Sequence, residues 1–354
     1  MTRLHDTLIV GAGLAGSILA YRLTLAGRNV LLVSDPSIPS ASRVAAGLIN
    51  PVTGQRLVLQ GGIEELLASA QRTYHDIEAR FGINILHERE MLRVFRSGKE
   101  KEIWENRIRD STYHPYIDCK LHDDPCINMN HGAFLQHHTG YLDTNTMLDA
   151  LHQWFREQKI LIEAPLLYGD VTIEAENIQW QGVQADRIIF CEGWRSQKNP
   201  WFDWLPFQPV KGEILTLSTD STIPAQMINR GKWLLPINKE TFKLGATYER
   251  NELNETPTED AERELLDAME DIFLTRPAVR VTDHMAGVRP GTKDKQPFVG
   301  LHPEHLQLGI FNGFGSKGSL LIPWHAEQFT CYLIDGTPLP EQADIRRWHG
   351  QSPG

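Results

Sequence analysis

The chain has 354 residues, 41% of them hydrophobic and 23% charged, with 28 glycines and 20 prolines. That is enough for one large or two ordinary domains with buried cores, and it excludes a disordered or collagen-like chain. Lys and Arg total 35 against 45 Asp and Glu, a formal charge of -10, which disfavours nucleic acid and anionic membranes as partners.

Four cysteines, Cys119, Cys126, Cys191 and Cys331, form no CxxC pair; the expectation is a cytoplasmic protein with free thiols and no structural zinc. Arg3 followed by the apolar run Leu8–Ala20 imitates the core of a signal peptide, but the same residues read better as a strand and a helix. Thr7–Val10 is β-branched and apolar, Gly11-Ala12-Gly13-Leu14-Ala15-Gly16 follows, and Ile18, Leu19, Leu23 and Leu25 then recur at helical spacing up to Gly27. Strand, glycine turn and helix make a dinucleotide cradle. Gly11 makes the turn, Gly13 admits a pyrophosphate to the backbone, and Gly16 lets the helix close on the strand. A second strand, Asn29–Val33, ends at Ser34 and Asp35, where an acidic side chain is placed to bind ribose hydroxyls.

The small residues of Ser40–Pro51 suit a segment pressed against a flat ligand, with Ser42 and Arg43 in reach of phosphate oxygens. Ile63, Leu66, Leu67, Ala70, Tyr74, Ile77 and Phe81 mark an amphipathic helix over Glu64–Phe81. From about Gly82, short apolar runs such as Met91–Phe95 indicate a β-rich insertion, in which Arg93, Arg96, Lys99 and Lys101 could form a local basic patch. His131, His137 and His138 lack carboxylate or cysteine partners at metal-ligand spacing and are read as surface or satisfied histidines. A helix capped by Asp143 runs to about Gln158, and the apolar strand Ala185–Phe190 closes on Gly193, with Cys191 as core.

A second alternating section begins near Pro206 and includes Pro209–Leu215 and Lys243–Tyr248, with Lys211 and Tyr248 as pocket or support residues. Thr256-Pro257-Thr258-Glu259 reads as a capping box for a helix burying Leu265, Met269 and Ile272. The nucleotide domain is therefore expected to be discontinuous, residues 1–82, 141–204 and 286–354, with 83–140 and 205–285 as the substrate domain.

The stretch Gly287-Val288-Arg289-Pro290-Gly291-Thr292-Lys293-Asp294, with Pro297 and Gly300 after it, and the loop Asn312-Gly313-Phe314-Gly315-Ser316-Lys317-Gly318 complete a series of motifs. With the glycine fingerprint, the Ser42–Gly47 segment and the Pro-Val-Lys-Gly-Glu segment, they occur in one order over nearly the whole chain. In this order the sequence resembles the D-amino-acid oxidase superfamily of FAD-dependent oxidoreductases, most closely its glycine oxidase and sarcosine oxidase branch. Gly245–Asn251 and the following Thr-Pro-Thr-Glu are also similar to the oxidase domain of the bifunctional enzyme that modifies the tRNA wobble uridine.

The resemblance implies an α/β fold in which a Rossmann-type FAD-binding domain is interleaved with a β-rich α+β substrate domain. It implies FAD held non-covalently, since Cys331 lies well beyond the loop where sarcosine oxidases attach it. Gly11, Gly13, Leu14, Ala15 and Gly16 would hold the pyrophosphate, Ser34 or Asp35 the ribose, Ser42 and Arg43 the phosphate side, and Ala45, Ala46, Gly47 and Leu48 the flavin ring. Gly193 and the loop Gly313, Phe314, Gly315, Ser316, Lys317 and Gly318 complete the cofactor set. The loop would lead into a Leu320–Ile334 helix whose first turn or kink contains Pro323. Arg289 matches the family's arginine for the substrate carboxylate, with Tyr248, Lys317 and Leu48 in the substrate pocket. Glycine oxidase carries a second arginine where this chain has Ser316 with Lys317 beside it, so carboxylate affinity or substrate class is expected to differ. The implied partners are a small amine or amino acid and oxygen or another electron acceptor, with the C–N bond oxidised by hydride transfer to the flavin and the imine hydrolysed. The alternatives are demodification of a carboxymethylaminomethyl-type tRNA base and a non-catalytic flavin-binding protein.

Overall fold

The computed structural model describes residues 4–350, so Arg3 lies outside the described residues. The strands Leu161–Glu163, Val30–Ser34, Leu4–Val10 and Val183–Phe190 lie side by side and parallel, and Leu308–Asn312 extends them along the end of Val183–Phe190. The hairpin Val171–Ile173 and Ile178–Trp180 adds antiparallel strands at the start of Val183–Phe190. Leu8, Ile9, Leu32, Val33 and Ile188 to Phe190 are buried, as parallel strands covered on both faces must be. Helices Leu14–Leu25, Ile63–Phe81, Thr144–Glu157 and Gly318–Asp335 share one apolar core beside this sheet.

Pro323 is the sixth residue of the Gly318–Asp335 helix, past its first turn. A proline there cannot donate to the carbonyl four residues back, that of Ser319. The buried Tyr74 hydroxyl donates to that carbonyl instead, at 2.6 Å, so the helix runs through the proline.

The second sheet has seven strands in the order Arg280–Arg289, Val210–Ser218, Thr241–Gly245, Lys232–Pro236, Met227–Arg230, Met91–Val94, Ala133–Gln136. One face packs against the Glu259–Ile272 helix through Leu265, Met269 and Ile272. The other turns toward Ala46, Leu48 and the first sheet. The architecture is thus mixed α/β, with a doubly covered parallel sheet and a largely antiparallel one.

One local expectation changes. The Glu259–Ile272 helix is capped by Thr258, whose hydroxyl accepts from Ala261 N at 3.3 Å, not by Thr256. The buried Glu213 carboxylate accepts from Thr258 N at 2.8 Å and from its hydroxyl at 3.1 Å, a tertiary anchor that moves the start past Pro257. The domain division at residue 286 falls inside the unbroken strand Arg280–Arg289, so the chain leaves the second sheet after Arg289. The division at 141 likewise falls inside Gly140–Leu142, which joins Leu48–Ile49 to Leu86–Glu88.

Candidate active site

Between the two sheets lies a cavity of about 1140 Å³, lined from both, larger than the roughly 300–1,000 Å³ of ordinary small-ligand pockets. Its first wall is backbone. Gly11, at φ +100°, ends the first strand; a Cβ there would meet Cys191 O at 2.5 Å, and one on Gly16 would meet Gly11 O at 1.8 Å. The turn therefore tolerates no side chain at either position. His152 Nε2 lies 2.9 Å from Ala12 O and braces the turn from the Thr144–Glu157 helix. The Leu14–Leu25 helix starts at Gly13, which has no side chain to cap it, and has no acid in its first turn, so its positive end faces the cavity. Leu14 N donates to Ser42 Oγ at 2.9 Å. Ser34 and Asp35 line the same end; Asp35 accepts from Ser37 N and Oγ at 2.9 and 2.6 Å, which holds its carboxyl below the usual range.

The middle of the cavity is walled by Ala45, Ala46, Gly47 and Leu48. Gly47 has φ +69°, and a Cβ would lie 2.0 Å from Leu142 O, so this segment runs tight against the Gly140–Leu142 strand. Opposite, Gly193, Phe314, Gly315, Ser316, Lys317 and Gly318 form the rim. Asn312 Nδ2 donates to Gly193 O at 2.8 Å and Gly315 N to Pro290 O at 3.1 Å, tying three separate segments together. The Gly318–Asp335 helix also begins here without a side-chain cap or an acid in its first turn, so a second positive helix end meets the cavity. Lys317 donates to Gln60 Oε1 at 2.8 Å; burial, with Lys295 nearby, lowers its pKa.

The floor is the second sheet. Arg289, partly buried, lies over Gly212, where a Cβ would sit 2.0 Å from its Nη2. Its Nη1 donates to Thr247 O at 3.4 Å, and no carboxylate lies within ion-pair distance among the described residues. Burial lowers its pKa. Tyr248 lines the cavity from an exposed position, its hydroxyl accepting from Arg250 Nη2 at 2.9 Å.

Three expected ligands are placed elsewhere. Arg43 does not line the cavity: its Nη1 is paired with Asp149 at 2.7 Å and bonded to Asn145 O at 3.2 Å. Gly16 and Gly313 lie behind the wall, and a Cβ on Gly313 would meet Thr292 Cγ2 at 2.7 Å. Lys211 is fold support, buried against Glu213 at 3.2 Å and donating to Asn254 Oδ1 and Thr256 O at 3.0 and 2.6 Å. Nor do the basic residues after Met91 form one patch: Arg93 is buried in the cavity wall and Arg96 is paired with Glu100 at 2.7 Å.

Several cavity residues escaped sequence reasoning. Glu192 is a carboxyl whose pKa burial raises, held by Tyr168 Oη at 2.9 Å and Asn199 Nδ2 at 3.0 Å. Arg93, Asn229 and Trp233 come from three neighbouring strands of the floor. A charged residue inside the apolar run Met91–Phe95 was the one available signal. The described residues contain no group of side chains that could hold a metal, and none of their helices is long and apolar enough to cross a membrane.

A glycine-turned parallel sheet, two helix N-termini without acids and a second sheet flooring a long cavity have the form of a dinucleotide-binding site. The model of the DAO family, described as FAD dependent oxidoreductase, matches residues 6–331. The chain belongs to that family, and its cofactor is FAD. The glycine oxidase of Bacillus licheniformis is 23% identical, over 96% of this chain and 95% of that protein. The tRNA 5-methylaminomethyl-2-thiouridine biosynthesis bifunctional protein MnmC of Marinobacter nauticus is 23% identical over 92% of this chain but only 54% of its own length. Among solved structures, glycine oxidase from Bacillus cereus ATCC 14579 superposes with a TM-score of 0.80 at 18% identity, covering 96% of this chain and 99% of that one.

Proposed function

We propose that the protein oxidises the C–N bond of a small amino acid or secondary amine whose carboxylate is bound by Arg289. The observation that carries this reading is a guanidinium facing the cavity with a backbone carbonyl as its partner and, among the described residues, no carboxylate in reach. A planar fork of donors with no anion is a receptor for one, and a bidentate carboxylate fits it better than any neutral group.

The residues present fit FAD. Gly13, Leu14 and Ala15 at the first helix end would take the pyrophosphate, with Ser42 beside it; Ser34 and Asp35 would take the ribose. Ala45, Ala46, Gly47 and Leu48 would face one side of the ring, and Gly193 with Phe314 to Gly318 its other edge. The rim loop Phe314–Gly318 offers no cysteine for attachment, which supports FAD held non-covalently. When bound, FAD supplies the acceptor for the hydride from the carbon next to the amine. The chain's own part is orientation: Arg289 fixes the carboxylate, Leu48 and Trp233 give apolar walls, and the second helix end lowers the energy of negative charge nearby. No side chain is assigned as an obligatory base.

The test is anaerobic mixing of the yellow holoprotein with glycine, sarcosine, proline and other secondary amines, reading flavin bleaching. Bleaching by an amine with an adjacent carboxylate, weakened 10- to 100-fold or more in KM by Arg289→Ala, supports the reading. Bleaching only by a carboxymethylated tRNA replaces it with the demodification reaction. A protein that binds flavin and responds to neither is a binding module.

A further inference from the structure

We propose that Arg93 forms a second anion site at the far end of the same cavity. The substrate would then be an elongated amine with an anion at each end: a carboxylate beside the reacting carbon and a carboxylate or phosphate on the distant arm. The inference rests on the reading of Arg289 above.

Arg93 is 6% exposed and lines the cavity. Its Nη1 donates to Asn229 Oδ1 at 2.9 Å and its Nη2 to Gly54 O at 3.1 Å. Both acceptors are neutral, so neither cancels the charge, and a guanidinium has five N–H donors to place. Glu100, whose charge acts on Arg93, is committed to Arg96, taking bonds from its N, Nε and Nη2 at 2.9, 2.8 and 2.7 Å. No carboxylate lies within ion-pair distance of Arg93 among the described residues. A buried charge without a counter-charge is costly, and an anionic ligand in the cavity would remove that cost.

Register shows where this cation stands. Arg93 pairs with Asn229, Asn229 with Trp233, Trp233 with Gly245, and Gly245 with Ile214. Residues directly opposite one another share a face, and Arg93, Asn229, Trp233 and Ile214 all line the cavity. Trp233 covers Gly245, where a Cβ would meet its ring at 2.5 Å. Gly212, beneath the Arg289 guanidinium, lies two residues from Ile214 on the same face. The floor is therefore a row with a guanidinium at each end and an indole between. The strand of Arg289 lies five intervals of about 4.8 Å from that of Arg93, but its guanidinium lies over Gly212, one strand nearer, so four intervals, a span on the order of 20 Å, separate the two ends of the row. A glycine-sized substrate on Arg289 cannot touch Arg93, whereas an arm running over Trp233 can.

The experiment titrates the holoprotein with unreactive α,ω-alkanedicarboxylates of increasing length, with alkanoates of equal length, and with ω-phosphonoalkanoates, following the flavin absorbance. Diacids near the proposed span should bind more tightly than the matched monoacids. Arg93→Gln should weaken those diacids by on the order of 10- to 100-fold while leaving short monoacids unchanged, and Arg93→Lys should restore part of the loss. Tighter binding of the phosphonates assigns the far anion as a phosphate, and tighter binding of the diacids assigns it as a carboxylate. Equal affinity of diacids and monoacids in the wild type overturns the proposal, even where Arg93→Gln fails to fold. So does an equal loss for both ligand types in Arg93→Gln, which marks a purely structural arginine. Failure of every amine to bleach the flavin while the diacid preference persists removes the oxidase reading and leaves the second site standing.

Discussion

The two faces of the strand Val210–Ser218 carry cations in opposite conditions. On the outer face Lys211 is 1% exposed and fully engaged, with Glu213, Asn254 and the Thr256 carbonyl around its ammonium. On the inner face Gly212 leaves room for the Arg289 guanidinium, which reaches only the Thr247 carbonyl. One charge is part of the fold; the other is held in place without being neutralised. A cation's burial therefore says little about function until its counter-charge is sought. On that criterion Lys211 and Arg43 are held by counter-charges of the fold, and Arg289 and Arg93 are the cations to which the proposals above give an anion.

The contrast breaks first at Glu213. Its carboxylate pairs with Lys211, lies 2.9 Å from His284 Nε2 and anchors the cap of the Glu259–Ile272 helix. Glu213→Ala strands the Lys211 charge and should cost about 3–5 kcal/mol, read as a lower midpoint in denaturant unfolding. A loss below about 1 kcal/mol would show that the outer pair is not what holds this face together.

His325 is a third case, a buried group that avoids charge altogether. It packs edge-on against Phe314 and donates from Nδ1 to Leu321 O at 2.8 Å, and burial pushes its pKa down to about 4. The folded state therefore resists a proton that the unfolded state accepts below about 6.5. The resulting stability is complete above pH 6.5 and is lost as pH falls toward 4, about 3 kcal/mol in all. His325→Leu should flatten that part of the pH–stability curve; an unchanged slope would place the acid sensitivity elsewhere.

Arg289→Met should have the reverse signature of Glu213→Ala. No acid is left unpaired, so stability should stay within about 0.5 kcal/mol of wild type, while the affinity for a carboxylate-bearing substrate falls 10- to 100-fold. Flavin content and unfolding midpoint measured on one preparation separate the two effects. A large loss of stability would move Arg289 into the structural class.

The same contrast explains what could be read from the sequence. The first wall of the cavity is made of backbone, and backbone devices are written locally: Gly11-Ala12-Gly13-Leu14-Ala15-Gly16 states its turn and helix start within six residues. The parallel strands were legible for the same reason, as unbroken apolar runs. The floor is made of side chains that only register brings together, with Arg93 and Trp233 meeting across Asn229, and no local pattern announces such a row. Where a tertiary partner intervened, local rules failed. Glu213 moved the helix cap from Thr256 to Thr258, and Asp149 drew Arg43 away from the cavity that its neighbours line.

Arg43 gives the smallest effect and the finest test. It stands one residue after Ser42, in a segment whose small residues face the cavity, and the resemblance assigns it to the phosphate side. Its guanidinium instead spans to the Thr144–Glu157 helix, pairing with Asp149 at 2.7 Å, while Asn145 Nδ2 returns a bond to Arg43 O at 3.1 Å. Asp149 is largely exposed, at 71% of its side chain, so the pair is worth less than about 1 kcal/mol. Arg43→Ala should lower stability by no more than that and leave the FAD dissociation constant unchanged, measured by flavin fluorescence on reconstituting the apoprotein. A tenfold loss of flavin affinity would mean that this cation leaves Asp149 for the cofactor, and that an ion pair at the rim of the cavity does not by itself make a residue structural.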